Sequence, residues 1–133
     1  MAYAINMAAA ARRHLEAANI LASGHRRDVA GYLYGIAAEC AIKAMMLEAG
    51  MRPMSDRRSA GDPFWAHFPE LRSILRDQLK GRRGTPLSRL IQDDGFLNNW
   101  ATRMRYSHGK DIDHVWVTSW ATQAKNAVGS IGT

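Results

Sequence analysis

The chain has 133 residues, 47% of them hydrophobic, which fits one globular domain and excludes an intrinsically disordered chain. No apolar run approaches the roughly 20 residues that a membrane-spanning helix needs. Arg12 and Arg13 follow the apolar stretch 8–11, the reverse of the order in a secretory signal. The formal net charge is +6, with 14 arginines against 4 lysines, and arginine suits phosphate groups better than lysine does. We expect a cytoplasmic protein with no membrane partner, whose basic surface is either solvated or binds nucleic acid or a nucleotide.

Two long helices are predicted for the first part of the chain. Apolar residues recur at steps of three and four over residues 2–22, and Ser23 and Gly24 end that helix. A second helix is predicted over 27–49, with Gly50 as its C-terminal cap.

Small residues lie along the predicted second helix. Gly31 and Gly35 share one face, and a glycine inside a helix costs about 1 kcal/mol relative to alanine. Close approach of the alanine-rich first helix is the expected compensation, so the two helices should form a tight antiparallel hairpin with these glycines between them. Cys40, the single cysteine, excludes an internal disulfide and is expected to pack as a small buried hydrophobe.

A long loop and a shorter helix are predicted next. Residues 51–66 contain proline, glycine and paired charges, a composition typical of a loop. A third helix begins near Pro69, since proline is favoured in the first turn. Two arginines between Gly81 and Gly84 are predicted to form the following turn.

The last part of the chain is predicted to hold two more helices. Thr85 and a proline after it begin a fourth helix, which fades over 106–109. Asp111 or Asp113 caps the last helix. The predicted fold is all-α, an up-and-down bundle of four to five helices that forms a single domain over residues 1–133.

The segment 100–109 contains the most unusual set of side chains in the chain. Side chains five positions apart point about 140° away from each other on an unbroken helix, so Arg103 and His108 converge only if the helix ends or bends between them. Gly109 favours such an ending. A convergent pair would form a phosphodiester site, in which the histidine transfers a proton and the arginine stabilises charge on the phosphate.

At these residues the chain resembles the HEPN (higher eukaryotes and prokaryotes nucleotide-binding) family. Residues 11–18 and 28–43 are similar to the family's first helical pair, and residues 67–79 to the segment that follows. Arg103 and His108, with four residues between them, are similar to the family's arginine–histidine motif. The resemblance spans most of the chain and implies a HEPN-like helical domain.

The resemblance also implies an activity. Members with an intact motif are metal-independent endoribonucleases that work as homodimers, with two motifs facing each other and a 2′,3′-cyclic phosphate as product. Carried over, His108 would move the proton and Arg103 would stabilise the phosphate. The residues that would help bind RNA are Arg105, Tyr106 and Ser107. The chain would then be a toxin or defence component that needs no cofactor, and its neutralising antitoxin would have a nucleotidyltransferase fold.

Glu39 and Lys43 belong to the same resemblance, because their spacing recurs in the family's first helical pair. On the residues alone they form an i,i+4 ion pair worth a few tenths of a kcal/mol. Burial against the helix that carries the motif is the alternative. A structural role is favoured for both residues in either case.

A non-catalytic interpretation stays open beside the nuclease. Met104 stands where the family usually has Asn, Asp or His, and Lys110 stands where modified members have tyrosine. Many relatives have a pair like Arg105 and Tyr106 but no working histidine, and those are nucleotide-binding or protein-interaction modules. On this interpretation His108 only satisfies the last carbonyl groups of a helix.

Other groups are assigned structural roles or none. The five histidines and one cysteine are scattered without ligand spacing, so no metal site is predicted. Asp93 and Asp94 are adjacent and would point apart on the fourth helix, which argues against a paired-carboxylate site. The four tryptophans are expected in the core or in a dimer interface: Trp65, Trp100, Trp116 and Trp120.

Overall fold

A computed structural model describes residues 3–55, 60–79 and 85–133, and every regular element in these ranges is helical. The five α-helices in them are α1 (Met7–Ser23), α2 (Arg27–Glu48), α3 (Glu70–Gln78), α4 (Pro86–Gln92) and α5 (His114–Gly129). Short 3₁₀ helices span Pro63–Trp65, Thr102–Tyr106 and Gly109–Asp111. The predicted all-α fold is confirmed. Within the described ranges, none of these helices has the length and apolar character that crossing a bilayer requires.

The first helix is shorter than predicted. It begins at Met7 instead of near residue 2, because the backbone of Asn6 is extended and its side chain accepts a hydrogen bond from the Ala9 N–H (3.0 Å). The predicted end is confirmed: the Gly24 N–H bonds to carbonyl oxygens of the last turn, 3.0 Å from that of Ile20.

The second helix ends as predicted. Gly50 has φ +89°, a left-handed conformation that glycine adopts without steric cost. Its N–H donates to the Leu47 carbonyl and the Met51 N–H donates to the Met46 carbonyl, both at 3.0 Å. These two bonds define a Schellman motif, which satisfies carbonyl groups that the helix end leaves free.

The predicted hairpin of α1 and α2 is present, but the glycines of α2 do not face α1. A Cβ on Gly31 would lie 2.9 Å from Val117 Cγ2 and 3.1 Å from Trp120 of α5. A Cβ on Gly35 would collide with the indole of Trp100. The prediction was wrong because the compensation for glycine comes from tryptophan rings, which need more room than alanines do.

All five α-helices contribute to one core, and two tryptophans are among its largest side chains. Trp100 and Trp120 are 2% and 1% exposed, which confirms the core role predicted for them. Their indole N–H groups donate to the carbonyl oxygens of Gly31 (3.2 Å) and Asn98 (2.9 Å). Both polar ends are therefore satisfied inside the core, as burial of tryptophan requires.

The fourth helix is much shorter than predicted and ends at Gln92. The Asp93 carboxylate accepts the Gly95 N–H (2.9 Å), and Leu97 and Asn99 have φ of 53° and 69°. The Gln123 side chain of α5 then accepts the Leu97 N–H and donates to the Gly95 carbonyl. The apolar residues that suggested a continuing helix lie in a turn after α4 and pack from there into the core. Asp93 follows the last residue of α4 and is not on a helix.

The remaining helix boundaries that lie within the described residues agree with the predicted ones. The third helix begins at Glu70, directly after Pro69. The last helix begins at His114, and Asp113 caps it by accepting the Val115 N–H (2.8 Å). The predicted arginine turn and part of the predicted loop lie outside the described residues.

Candidate functional site

The backbone between Arg103 and His108 is not α-helical. Such a break is required if the two side chains are to converge. A 3₁₀ helix over Thr102–Tyr106 is followed by extended backbone at Ser107 and His108. The sequence predicted that Gly109 would cause this break. It comes instead from the early end of α4. We call residues 101–108, from the end of the Trp100 anchor to His108, the motif segment.

Two contacts hold the motif segment on the start of α2. The Arg105 guanidinium donates through Nη1 to the Tyr32 hydroxyl (3.1 Å). Gly109 lies so close to the Asp28 carboxylate that a Cβ there would collide with it. Ile112, four residues after the end of the segment, is 8% exposed and joins the core. The segment is therefore fixed at both ends while most of its side chains face solvent.

Arg105 lies between two tyrosine rings. Its guanidinium carbon is 6.0 Å from the centroid of the Tyr32 ring and 5.1 Å from that of Tyr106. The hydrogen bond with the Tyr32 hydroxyl, followed by the electrostatic interaction with Tyr32 and Tyr106, raises the pKa of Arg105 above its ordinary value. The residue therefore presents a permanent positive charge beside a Tyr106 ring that is 79% exposed.

His108 is exposed and caps the short 3₁₀ helix that follows it. Its Nδ1 accepts the backbone N–H of Lys110 (3.1 Å). An imidazole that accepts at Nδ1 carries its proton on Nε2 when it is neutral. In this arrangement the Nε2–H group of His108 is the donor available to a phosphate oxygen. Proton transfer by His108 requires that the bond from Lys110 be released first.

Arg103 does not share a cleft with Arg105. It lines an open cleft of about 280 Å³ together with Met104, Asp111 and Trp116. No hydrogen bond or ion pair joins Arg103 to His108 within the described residues, and His108 does not line this cleft. The backbone thus exposes both predicted catalytic residues, but one copy of the chain does not bring them into direct contact.

Ser107 uses its hydroxyl within the segment. The Oγ donates to the Met104 carbonyl (2.8 Å), which closes the end of the 3₁₀ helix. Only its acceptor capacity remains for a ligand. Its predicted part in RNA binding stays a prediction.

Glu39 and Lys43 are buried, 3% and 6% exposed, but they do not form the predicted ion pair. The Glu39 carboxylate accepts the Phe68 N–H (2.7 Å) and pairs with His67 Nδ1 (2.9 Å). Burial lowers the pKa of Lys43, while the charges of Glu39 and Asp62 act in the opposite direction. Glu39 therefore joins α2 to the residues just before α3 and makes no hydrogen bond or ion pair with the motif segment.

Metal-ligating side chains do not gather anywhere in the described part of the chain: no group of three or more His, Cys, Asp or Glu lies close enough to hold an ion. Cys40 is half-buried, and burial raises the pKa of its thiol. It therefore stays protonated near neutral pH, which matches the packing role predicted for it.

The sequence interpretation missed the residues of α2 that complete this surface. Arg26, Asp28 and Tyr32 line a second open cleft, of about 300 Å³, together with Arg105 and Gly109. The arginine pair at 26–27 was the available signal, but its position beside a segment more than 70 residues later depends on the tertiary fold. Tyr32 gave no signal, since its place on α2 marks it only as a helix residue.

Comparison with protein-family models, with curated proteins and with solved structures gives no match to this chain. The resemblance to the HEPN family therefore stays a prediction that depends on the motifs named above.

Proposed function

We propose that this protein is a HEPN-like RNA-binding protein and that the motif segment is its RNA-contacting surface. The observation that carries the proposal is the exposure of Arg103, Arg105, Tyr106 and His108 on one short segment that is anchored at both ends. Arginine and histidine donate hydrogen bonds to phosphate oxygens, and an exposed aromatic ring stacks with an unpaired base.

Single-stranded RNA fits this surface better than a duplex. Base stacking requires splayed bases, and single strands offer them whereas a helix does not. Arg105 is fixed by the Tyr32 hydroxyl next to the exposed Tyr106 ring, so a phosphate and its neighbouring base can be bound side by side. Little side-chain freedom is lost at Arg105 on binding, because its position is already set.

Metal-independent cleavage of the bound RNA is the second candidate function. It is favoured by the spacing of Arg103 and His108 on exposed, non-helical backbone. In such a reaction the 2′-hydroxyl loses its proton and its oxygen attacks phosphorus. The bond to the 5′-oxygen then breaks, that oxygen takes up a proton, and a 2′,3′-cyclic phosphate remains.

The hydrogen bond at His108 Nδ1 makes binding the better-supported function of the two. While Lys110 N–H occupies Nδ1, the neutral ring has no free lone pair with which to take the proton of the 2′-hydroxyl. A homodimer that places two motif segments across one cleft is the arrangement in which cleavage would occur. By the same resemblance, we propose a cytoplasmic toxin or defence role, with a neutralising partner of nucleotidyltransferase fold.

Binding is tested by the fluorescence anisotropy of a labelled single-stranded RNA octamer in EDTA. Arg103→Ala and Arg105→Ala should each weaken binding about 5–10-fold, since each removes a charge-assisted hydrogen bond to phosphate. Arg12→Ala is the matched control, because Arg12 is an exposed arginine in the middle of α1, away from the motif segment. Equal effects of all three substitutions would contradict the proposal.

Cleavage is tested in the same samples by product analysis on a sequencing gel. Cyclic phosphate ends that form in EDTA and disappear in His108→Ala, with binding retained, would establish the second candidate. Intact RNA with the unmodified protein would exclude it and leave binding as the function.

A further inference from the structure

A third cleft, lined mainly by basic side chains, lies next to the motif segment on the other side of Gly109. It measures about 370 Å³ and opens between the α1–α2 turn and the start of α5. We call it the turn cleft. Its polar lining consists of His25, Arg26, Arg27, Asp28, Lys110 and His114. Three cationic side chains thus face one carboxylate, and the two histidines provide further hydrogen-bonding groups. A cleft lined mostly by one sign of charge concentrates ions of the opposite sign.

The charged groups of the turn cleft differ in how far they are already used. Arg26 pairs with Asp28 (3.0 Å). Arg27 donates to the His114 carbonyl (3.1 Å) and to the Thr118 hydroxyl (2.9 Å). Lys110 takes part in no ion pair among the described residues and is exposed. Its ammonium group is therefore the fixed charge available to a ligand in this cleft.

The turn cleft is continuous with the surface around Arg105. Arg26, Asp28 and Gly109 line both the turn cleft and the cleft of Arg105 and Tyr32. His108 is directly before Gly109 and Lys110 directly after it. A strand that contacts Arg105 and His108 therefore reaches Lys110 by continuing along the same surface.

We propose that the turn cleft binds a second phosphate of the same RNA strand, with Lys110, His25 and His114 as its ligands. This inference rests on the proposed function, because it adds a phosphate site to the strand that the motif segment binds. Lys110 supplies the fixed charge and the two imidazoles donate hydrogen bonds to the phosphate oxygens. The site requires an oligonucleotide, since a ligand with one phosphate cannot occupy both surfaces.

The test compares Lys110→Ala with Lys125→Ala. Both remove one exposed lysine, but Lys125 lies far along α5 and lines no part of the turn cleft. The Lys110 substitution keeps the backbone N–H that bonds to His108. For an RNA octamer, Lys110→Ala should weaken binding about 3–10-fold and reduce the slope of log Kd against log salt by about 0.7, the value expected for one lost phosphate contact. Lys125→Ala should change neither quantity.

A dinucleotide with a single phosphate serves as the second probe. It should bind equally to the unmodified protein and to Lys110→Ala, because it occupies only the motif segment. A second variant, His25→Asn, keeps a residue that tolerates the left-handed backbone of position 25, where φ is +70°. This substitution should also weaken binding of the octamer and leave binding of the dinucleotide unchanged.

The outcomes separate this inference from the proposed function. Octamer binding that is equally strong in Lys110→Ala and Lys125→Ala would overturn the second phosphate site and leave the motif segment as the RNA surface. An equal loss for octamer and dinucleotide in Lys110→Ala would place Lys110 at the first phosphate and also overturn it. Absence of octamer binding by the unmodified protein would overturn the proposed function and this inference together.

Discussion

Replacing Gly35 with alanine should displace the indole of Trp100, which anchors the start of the motif segment. The added Cβ would lie 2.5 Å from Trp100 Cδ1 and closer still to Nε1 and Cε2. Carbon atoms in packed interiors stay about 3.5–4.0 Å apart, so the ring must move by about 1 Å or more. No flexible side-chain end is available to absorb this shift, because the indole is 2% exposed and surrounded by core residues.

The expected loss of stability has two sources. Forcing extra volume into a packed core costs about 1–3 kcal/mol. Movement of the ring also breaks the hydrogen bond from Trp100 Nε1 to the Gly31 carbonyl, and an unsatisfied buried donor costs about 1–3 kcal/mol. The better helix propensity of alanine offsets about 1 kcal/mol of this total. We therefore expect Gly35→Ala to lower the free energy of unfolding by about 3 kcal/mol.

Urea unfolding followed by circular dichroism measures this change, with Gly129→Ala as the matched control. Gly129 is the last residue of α5, and nothing lies within 4 Å of a Cβ added there. The control should be unchanged or stabilised by up to about 1 kcal/mol. Free energies of unfolding that agree within about 0.5 kcal/mol for the two variants would refute the packing argument.

Three further predictions follow from single contacts. Asp113→Ala should lower the free energy of unfolding by about 1 kcal/mol in thermal or urea unfolding, because α5 loses its N-cap. Tyr32→Phe should weaken RNA binding about 2–5-fold in the anisotropy assay, because Arg105 loses the hydroxyl that positions it while the ring stays. The third concerns pH: burial lowers the pKa of Lys43 below its ordinary 10.5, so between the lowered value and 10.5 the unfolded chain binds more protons than the folded one. The free energy of unfolding of the unmodified protein should therefore rise relative to that of Lys43→Met as the pH increases toward 10.5.

Each of these predictions has a result that would contradict it. Asp113→Asn, a residue that also caps helices, should retain most of the stability, and a loss equal to that of Asp113→Ala would argue against the cap. For Tyr32→Phe, unchanged RNA affinity would mean that Arg105 needs no fixed position. A constant difference between Lys43→Met and the unmodified protein across the alkaline range would mean that the Lys43 ammonium group is not desolvated in the folded state.

The helical boundaries that the sequence predicted correctly depend on local chemistry. Gly24, Gly50 and Asp113 end or begin helices through contacts within five residues along the chain, which a sequence displays directly. The long fourth helix was mispredicted because Gln123 of α5 satisfies the backbone at Gly95 and Leu97. An apolar stripe of helical period does not reveal a side chain that arrives from another element.

The candidate site was predictable only in part for the same reason. The exposed side chains of the motif segment are consecutive in sequence, so their composition pointed to phosphate chemistry directly. The contacts that fix the segment come from Asp28 and Tyr32 on α2, and their pairing with Gly109 and Arg105 depends on how the helices pack. The direction of Arg103 and His108 likewise follows from the 3₁₀ backbone, which the residue types do not specify.

An NMR titration tests most directly whether the motif segment binds RNA. At 14.8 kDa the isotope-labelled chain gives resolvable backbone amide signals, and a single-stranded RNA octamer is added in EDTA. We predict shifts concentrated at residues 101–108 and at Tyr32, and smaller shifts around Lys110 and His25 that are absent from the dinucleotide titration. Saturating RNA that leaves residues 101–108 unshifted, or that shifts only the opposite end of the bundle near Glu48 and Thr85, would contradict the account.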